Sequence, residues 1–254
     1  MEVDVDVRYL ILSDIHANLE AFQECLKAAE GRYDQAVCLG DVVGYGPDPN
    51  AVVSVLRKTA SVTIRGNHDK AASGITDAED FSPLAREAIL WTRRSLTLDN
   101  TTYLRQLPPG PQGFDTFEMV HGSATDEDEY VTGPAEAIPA LRSQAAALVF
   151  FGHTHRQGGF ALNPAGELRD LSLRVHRKGP EMSVSLEQGT HYLINPGSVG
   201  QPRDRDWKAA FAILDDSAGK VYFYRVPYKV AVTQMKMTRA GLPQFLIDRL
   251  QVGA

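Results

Sequence analysis

Five apolar runs in this chain each stop at a residue able to hold a metal ion. They read RYLILSDIH (8–16), AVCLGD (36–41), TIRGNHD (63–69), FEMVHG (117–122) and LVFFGHTH (148–155). Runs with little polar alternation suit strands buried on both faces of a mostly parallel sheet. In open α/β sheets, groups just beyond the strand C-termini converge in one crevice, however far apart they lie in sequence. A fold that stacks these strands side by side would therefore gather Asp14, His16, Asp41, Asn67, His68, His121, His153 and His155 at one edge. The glycines at 40, 66, 122 and 152 suit tight turns with close backbone approach there.

The segments between the runs support that arrangement. Leu19 to Glu30 has a helix pattern that Asn18 can cap and Gly31 can end, and Ala51 to Lys58 is a second helix. Ser82-Pro83 starts a long helix running to about Leu96, and Leu107 to Pro111 breaks the chain as a loop within one domain. The rhythm resumes with Phe117 to Val120, a helix near Ala135 to Gln144, and the strand Ala147 to Phe151. Beyond Phe160 the pattern turns extended: Phe160 to Leu162, Leu168 to Val175, Tyr192 to Ile194, Ala209 to Leu214 and Val221 to Val226, with a hairpin loop at DDSAGK. His176 to Thr190 is polar and without periodicity and reads as an exposed insertion. A closing helix spans about Leu242 to Leu250. The expectation is a single α/β domain over 1–254, its helices and two sheets in layers.

Composition narrows the function. The formal charge of -6 argues against broad electrostatic capture of nucleic acid, which needs a basic face, and no stable nucleic-acid partner is expected. A small anionic substrate is compatible, provided something local and positive receives it. Cys25 and Cys38 sit in apolar periodic segments, as buried thiols of a reducing compartment do. No apolar run approaches the ~18 residues of a membrane span, so cytoplasmic residence is the default and no membrane partner is expected.

Singly, each fragment has an ordinary reading. Asp14-x-His16 can be a helix-capping pair, Gly40-Asp41 a turn, Asn67-His68-Asp69 turn chemistry, and His121 a surface histidine. Independent turns give no reason for all of them to stand at the same edge of one sheet. Carboxylate, amide and imidazole without thiolate suit a borderline divalent ion such as manganese, iron, zinc, cobalt or nickel. Seven such donors exceed one tetrahedral site and suit two ions sharing a bridging carboxylate.

The order D-x-H, G-D, G-N-H-D, H-G, G-H-x-H resembles the calcineurin-like metallophosphoesterase superfamily. INPGSVGQPRD (194–204) and GDVVGYGPDPN (40–50) are similar to loops of its small bacterial and archaeal phosphodiesterase or diadenosine-polyphosphate-hydrolase-like members. The resemblance implies a four-layer α-β-β-α sandwich of two mixed sheets flanked by helices. It implies two divalent ions, manganese foremost: Asp14, His16 and His155 on the first, Asn67, His121 and His153 on the second, Asp41 bridging. It implies that His68 faces the scissile phosphate, with Asp69 orienting its ring. The reaction would be hydrolysis of a small phosphodiester, nucleotide or dinucleoside polyphosphate by metal-activated hydroxide attack.

Two further residues are expected on the substrate side. Tyr45 could stack on a nucleobase or pack in its rigid loop, and Arg203 could meet a second phosphate or pair with Asp204 or Asp206. GSATDEDEY (122–130) departs from the proline-containing loop of close relatives, and its DEDE run reads as solvated. The rival enzyme, a barrel amidohydrolase with an HxH pair, would need that pair first and a metal-bridging lysine. The rival outside enzymes is a binding scaffold on the same fold. The natural substrate and the oligomeric state stay open.

Overall fold

The computed structural model describes residues 7–172 and 182–254. Along the chain, β1 (Arg8–Leu12), α1 (Leu19–Ala29), β2 (Gln35–Cys38), α2 (Pro49–Thr59) and β3 (Val62–Thr63) form two strand-helix-strand units. Three helices follow, α3 (Asn67–Ser73), α4 (Pro83–Ser95) and α5 (Leu98–Gln106), and then β4 (Gln112–Phe114), β5 (Phe117–Met119), α6 (Pro134–Ser143) and β6 (Leu148–Phe150). The extended part contains β7 (Gly158–Leu162), β8 (Leu168–Asp170), β9 (Met182–Ser185), β10 (His191–Asn195), β11 (Ala209–Asp215) and β12 (Lys220–Val226). The chain closes with α7 (Val230–Arg239) and α8 (Gln244–Val252).

The strands form two six-stranded mixed sheets, ordered β3-β2-β1-β11-β12-β9 and β4-β5-β6-β10-β7-β8. Each has a parallel triplet, β1 with β2 and β3 in one and β5, β6 and β10 in the other, extended by antiparallel strands. Period-two geometry sorts the side chains of β1. Tyr9 and Ile11 face the second sheet and join Phe117, Phe150, Tyr192 and Ile194 in the core between sheets. Leu10 and Leu12 face α1 and α2, meeting Phe22, Cys25, Val53 and Leu56. On the far side Val149, Phe151 and Leu193 pack on Ala137 and Leu141 of α6. The result is the expected α-β-β-α sandwich. Burying one large side chain such as Phe150 completely contributes roughly 1.5–3 kcal/mol. Among the described residues no helix is long and apolar enough to cross a membrane.

Local chemistry explains most boundaries. The Asn18 side chain accepts the Ala21 N–H at 3.2 Å and starts α1, while Pro49, Pro83 and Pro134 each occupy a first turn, where a missing N–H costs nothing. Several features differ from the sequence reading, which contains neither α3 nor β4. The long helix does stop at Ser95, but Thr97 then accepts the Asn100 N–H at 3.3 Å and begins α5, a second helix before the proline break. Helix α7 was also absent from that reading. Finally, the 176–190 segment is not all insertion: residues 176–181 lie outside the described residues, but Met182–Ser185 is an edge strand on β12. Its Met-Ser-Val-Ser alternation lets Val184 rest against the intersheet core, a signal too short to stand out. The predicted strand from Leu168 is observed to Asp170, and 173–175 lie outside the described residues.

Candidate metal centre

The carboxyl ends of the two parallel triplets meet at one end of the sandwich. Backbone bonds join neighbouring strand ends within each sheet: Asp14 N–H to the Gly40 carbonyl at 3.0 Å, His16 N–H to Asp41 at 2.9 Å and Gly152 N–H to His121 at 2.9 Å. Asp14, His16, Asp41, His153 and His155 all have left-handed backbone, with φ between 47° and 65°. Such conformations cost about 1–3 kcal/mol each for residues with a Cβ and persist only where the surroundings over-determine them. Five in one cluster mark where the fold stores strain. Close approach matters too: a Cβ on Gly66 would lie 2.1 Å from Asp41 Oδ1, and one on Gly152 2.2 Å from Ser13 Oγ.

Three imidazoles are locked in one tautomer. His16 Nδ1 lies 3.2 Å from the Val43 carbonyl, His121 Nδ1 2.8 Å from that of Leu39, and His155 Nδ1 2.6 Å from that of Gln201. Carbonyls only accept, so each Nδ1 carries a proton and each Nε2 is turned inward, with a free lone pair on His16 and His155. The consequence is a meeting of acceptors. His16 Nε2 and His155 Nε2 stand 3.0 Å apart; Asp14 Oδ1 is 3.4 Å from His155 Nε2; Asp41 Oδ2 is 3.5 Å from both His16 Nε2 and His121 Nε2. Asn67 Oδ1 lies 3.3 Å from His121 Nε2. His153 Nε2 and Asp14 Oδ2 are buried with no hydrogen-bond partner. Lone pairs in such proximity repel unless a cation sits among them, so the donor set fits metal ions.

Two candidate metal-binding clusters result, Asp14-His16-Asp41-His155 and Asp41-His121-His153, each with donor atoms within 4.8 Å of one another. They share Asp41. Every residue read from sequence as a ligand is at this edge.

Electrostatics are those of a metal site without its charge. Burial holds His16 and His155 well below the usual imidazole range and takes His153 down to about 3. Burial also opposes a charge on His121, but the Asp41 carboxylate overrides it and raises that ring to about 9. Burial pushes Asp14 up to about 7.

His68 starts α3 beside these clusters. Its backbone N–H donates to Asp41 Oδ1 at 2.9 Å, and its ring lies between His16, Tyr45 and Phe81, at centroid distances of 4.9, 4.4 and 5.1 Å. Burial takes it to about 4, so the ring is neutral at pH 7 in the metal-free protein. Asp69 corrects an expectation: it does not orient His68. Its carboxylate accepts the N–H groups of Val42, Val43 and Gly66 at 3.2, 3.1 and 3.0 Å, and the His68 Nδ1 is without a partner. Asp69 staples the Asp41 loop to α3 because that loop leaves buried backbone donors otherwise unpaired.

A cleft of about 430 Å³ opens beside His68, Asn67 and His153. Tyr45 lines the cleft but is only 8% exposed and packs with Ala88, Met237 and Leu246, which supports the packing alternative. Arg203 lines the cleft and is not paired with Asp204 or Asp206; Asp204 is bonded to Arg225 instead. The exposed aromatic at the mouth is one that sequence reasoning missed. Tyr130 is 51% exposed and lies with its ring centroid 3.7 Å from that of His153. The DEDE run before it is not simply solvated: Glu127 pairs with Arg65 and Lys70 at 3.0 Å, and Asp128 pairs with Lys70 at 2.7 Å. Four like charges in a row signal a solvated face, so the presence of two buried or half-buried basic partners was invisible locally.

Comparison with known proteins agrees with this architecture. Residues 7–219 match the calcineurin-like phosphoesterase superfamily domain. An uncharacterized protein of Methanocaldococcus jannaschii is 31% identical over 260 aligned positions, covering 96% of this chain and 97% of that one. A metallophosphoesterase from Sphaerobacter thermophilus, 36% identical, superimposes with a TM-score of 0.83 over 98% of this chain and 100% of its own. A hypothetical protein from Pyrococcus horikoshii OT3 shares the fold at 21% identity, with a TM-score of 0.78 over 98% and 99% of the two chains.

Proposed function

This chain belongs to the calcineurin-like phosphoesterase superfamily, and from that premise we propose that it is a dinuclear-metal hydrolase of a small phosphodiester, nucleotide or dinucleoside polyphosphate. The observation that carries the proposal is the pair of acceptor clusters sharing Asp41, with the His16 and His155 Nε2 atoms 3.0 Å apart. Asp14, His16, Asp41 and His155 would hold one ion, and Asp41, Asn67, His121 and His153 the other. Manganese is the first choice from the family resemblance, and a donor set of oxygen and imidazole without thiolate admits it beside iron, zinc, cobalt and nickel. Bound there, the two ions supply Lewis-acid chemistry, neutralising phosphoryl oxygens and acidifying water.

The protein's own contribution is placement. The Nδ1–H bonds to Val43, Leu39 and Gln201 aim three Nε2 atoms at the site before any ion arrives. His68 is adjacent to Asp41 and on the cleft wall, where its neutral ring can donate one N–H to a phosphoryl or leaving-group oxygen. An arriving phosphate anion favours protonation of that ring, which lets it pass a proton to the leaving oxygen.

The proton balance of loading follows from His121. Raised to about 9 in the metal-free protein, this ring is protonated at pH 7 and must lose its proton to become a ligand. Manganese affinity should therefore rise with pH from 7 to about 9 and level off above. Calorimetric titration in buffers of different ionisation enthalpy is expected to show proton release at pH 7; pH-independent binding without release would contradict the ligand assignment.

Substrate class is tested by turnover of bis(p-nitrophenyl) phosphate and p-nitrophenyl phosphate with and without manganese. The proposal expects metal-dependent hydrolysis with the diester preferred. Folded, metal-loaded protein inert toward both would count against it.

A further inference from the structure

Helix α8 carries a guanidinium into the catalytic cleft. Leu246, Ile247 and Leu250 pack with Tyr45, Ala85, Ala88 and Met237, which fixes the helix against the Tyr45 loop and leaves half-buried Arg249 lining the same cleft as His68, Asn67 and His153. Arg203, from the loop after β10, lines it too. Its guanidinium lies 5.6 Å from the Tyr45 ring centroid and donates to Gln201 Oε1 at 2.9 Å, while its Nε is buried without a partner.

Among the described residues neither arginine forms an ion pair with a carboxylate side chain. Arg249 Nε donates to an oxygen of Ala254, the last residue of the sequence, which leaves the two terminal nitrogens of its fork uncommitted to it, and the guanidinium lies over Phe245. Of the carboxylates lining the cleft, Asp128 is committed to Lys70, and Asp77 and Asp80 sit on an exposed lip and reach neither guanidinium. Burial first, and the charge of Arg203 second, push Arg249 down to about 10, which leaves it charged at pH 7. Two half-buried like charges lining one cleft repel, and an anion that joins them relieves that repulsion.

Resting on the phosphohydrolase reading above, we infer that Arg203 and Arg249 form a second anion subsite beside the metal clusters, so that the preferred substrate carries a further phosphate next to the one cleaved. Their forked donors match a phosphoryl group held at two oxygens. A nucleoside or dinucleoside polyphosphate has that chemistry; a simple monoester does not.

The test is calorimetric binding to manganese-loaded protein of methylenediphosphonate, a diphosphate mimic that resists hydrolysis, and of methylphosphonate, its single-anion counterpart. The inference expects Arg249→Ala to reduce the ratio of the two affinities on the order of tenfold, as loss of a charge-assisted hydrogen bond does, and Arg249→Lys to reduce it less. Arg239→Ala, which removes an exposed arginine of α7 outside the cleft, should leave the ratio unchanged. A ratio within twofold of the parent in both Arg249 variants, or an equal fall in Arg239→Ala, overturns the subsite. Metal content and diester turnover of the parent protein report separately on the phosphohydrolase reading, so either can fail without the other.

Discussion

Replacing Asp41 by alanine is expected to reduce manganese-dependent diester hydrolysis on the order of 10³-fold or more, about 4 kcal/mol of transition-state stabilisation. Asp41 is common to both clusters, with Oδ2 3.5 Å from His16 Nε2 and from His121 Nε2. Its other oxygen accepts the His68 N–H at 2.9 Å. One substitution thus removes the shared ligand and loosens the residue beside it. The metal-free protein is expected to lose stability as well, because Asp41 Oδ2 lies 3.5 Å from the His121 ring whose charge it supports and Asp41 Oδ1 accepts the His68 N–H. Metal content by mass spectrometry, turnover and urea unfolding of the metal-free chain separate these effects. Turnover above a tenth of the parent would contradict the bridging role.

His68→Ala should behave differently. The ring is not among the inward-facing acceptors, so metal content is expected to stay at the parent value. Its loss removes the cleft-wall donor nearest Asp41, and kcat should fall by about 10²-fold, as for loss of a general acid. KM should change little. Single-turnover kinetics with parallel metal analysis check this; full kcat at unchanged metal content would show that His68 is a packing residue between Tyr45 and Phe81.

Much of the site was legible because strand ends are short-range features. An apolar run followed at once by Asp, Asn or His places that residue at a sheet edge in any parallel arrangement, and the order of runs supplied the layers. What was not legible depends on partners distant in sequence. The left-handed backbone at Asp14, His16, Asp41, His153 and His155 is imposed by bonds between loops, not by local preference. Asp69 looked like a partner for the adjacent His68, yet Val42 and Val43, 27 and 26 positions away, compete for its carboxylate and win. Tyr45 was a candidate for stacking until α7 and α8 covered it. Tyr130 followed a run of acids whose basic partners, Arg65 and Lys70, lie 62 and 57 positions from Glu127.

Asp41 belongs to both clusters, so hydrolysis would require both of them to be filled. The most direct measurement is to titrate metal-free protein with manganese(II) while following bis(p-nitrophenyl) phosphate hydrolysis and bound metal together. The account predicts that turnover rises with metal and saturates as the second equivalent per chain is bound. Saturation at one equivalent, or two bound equivalents in folded protein without turnover, would contradict it.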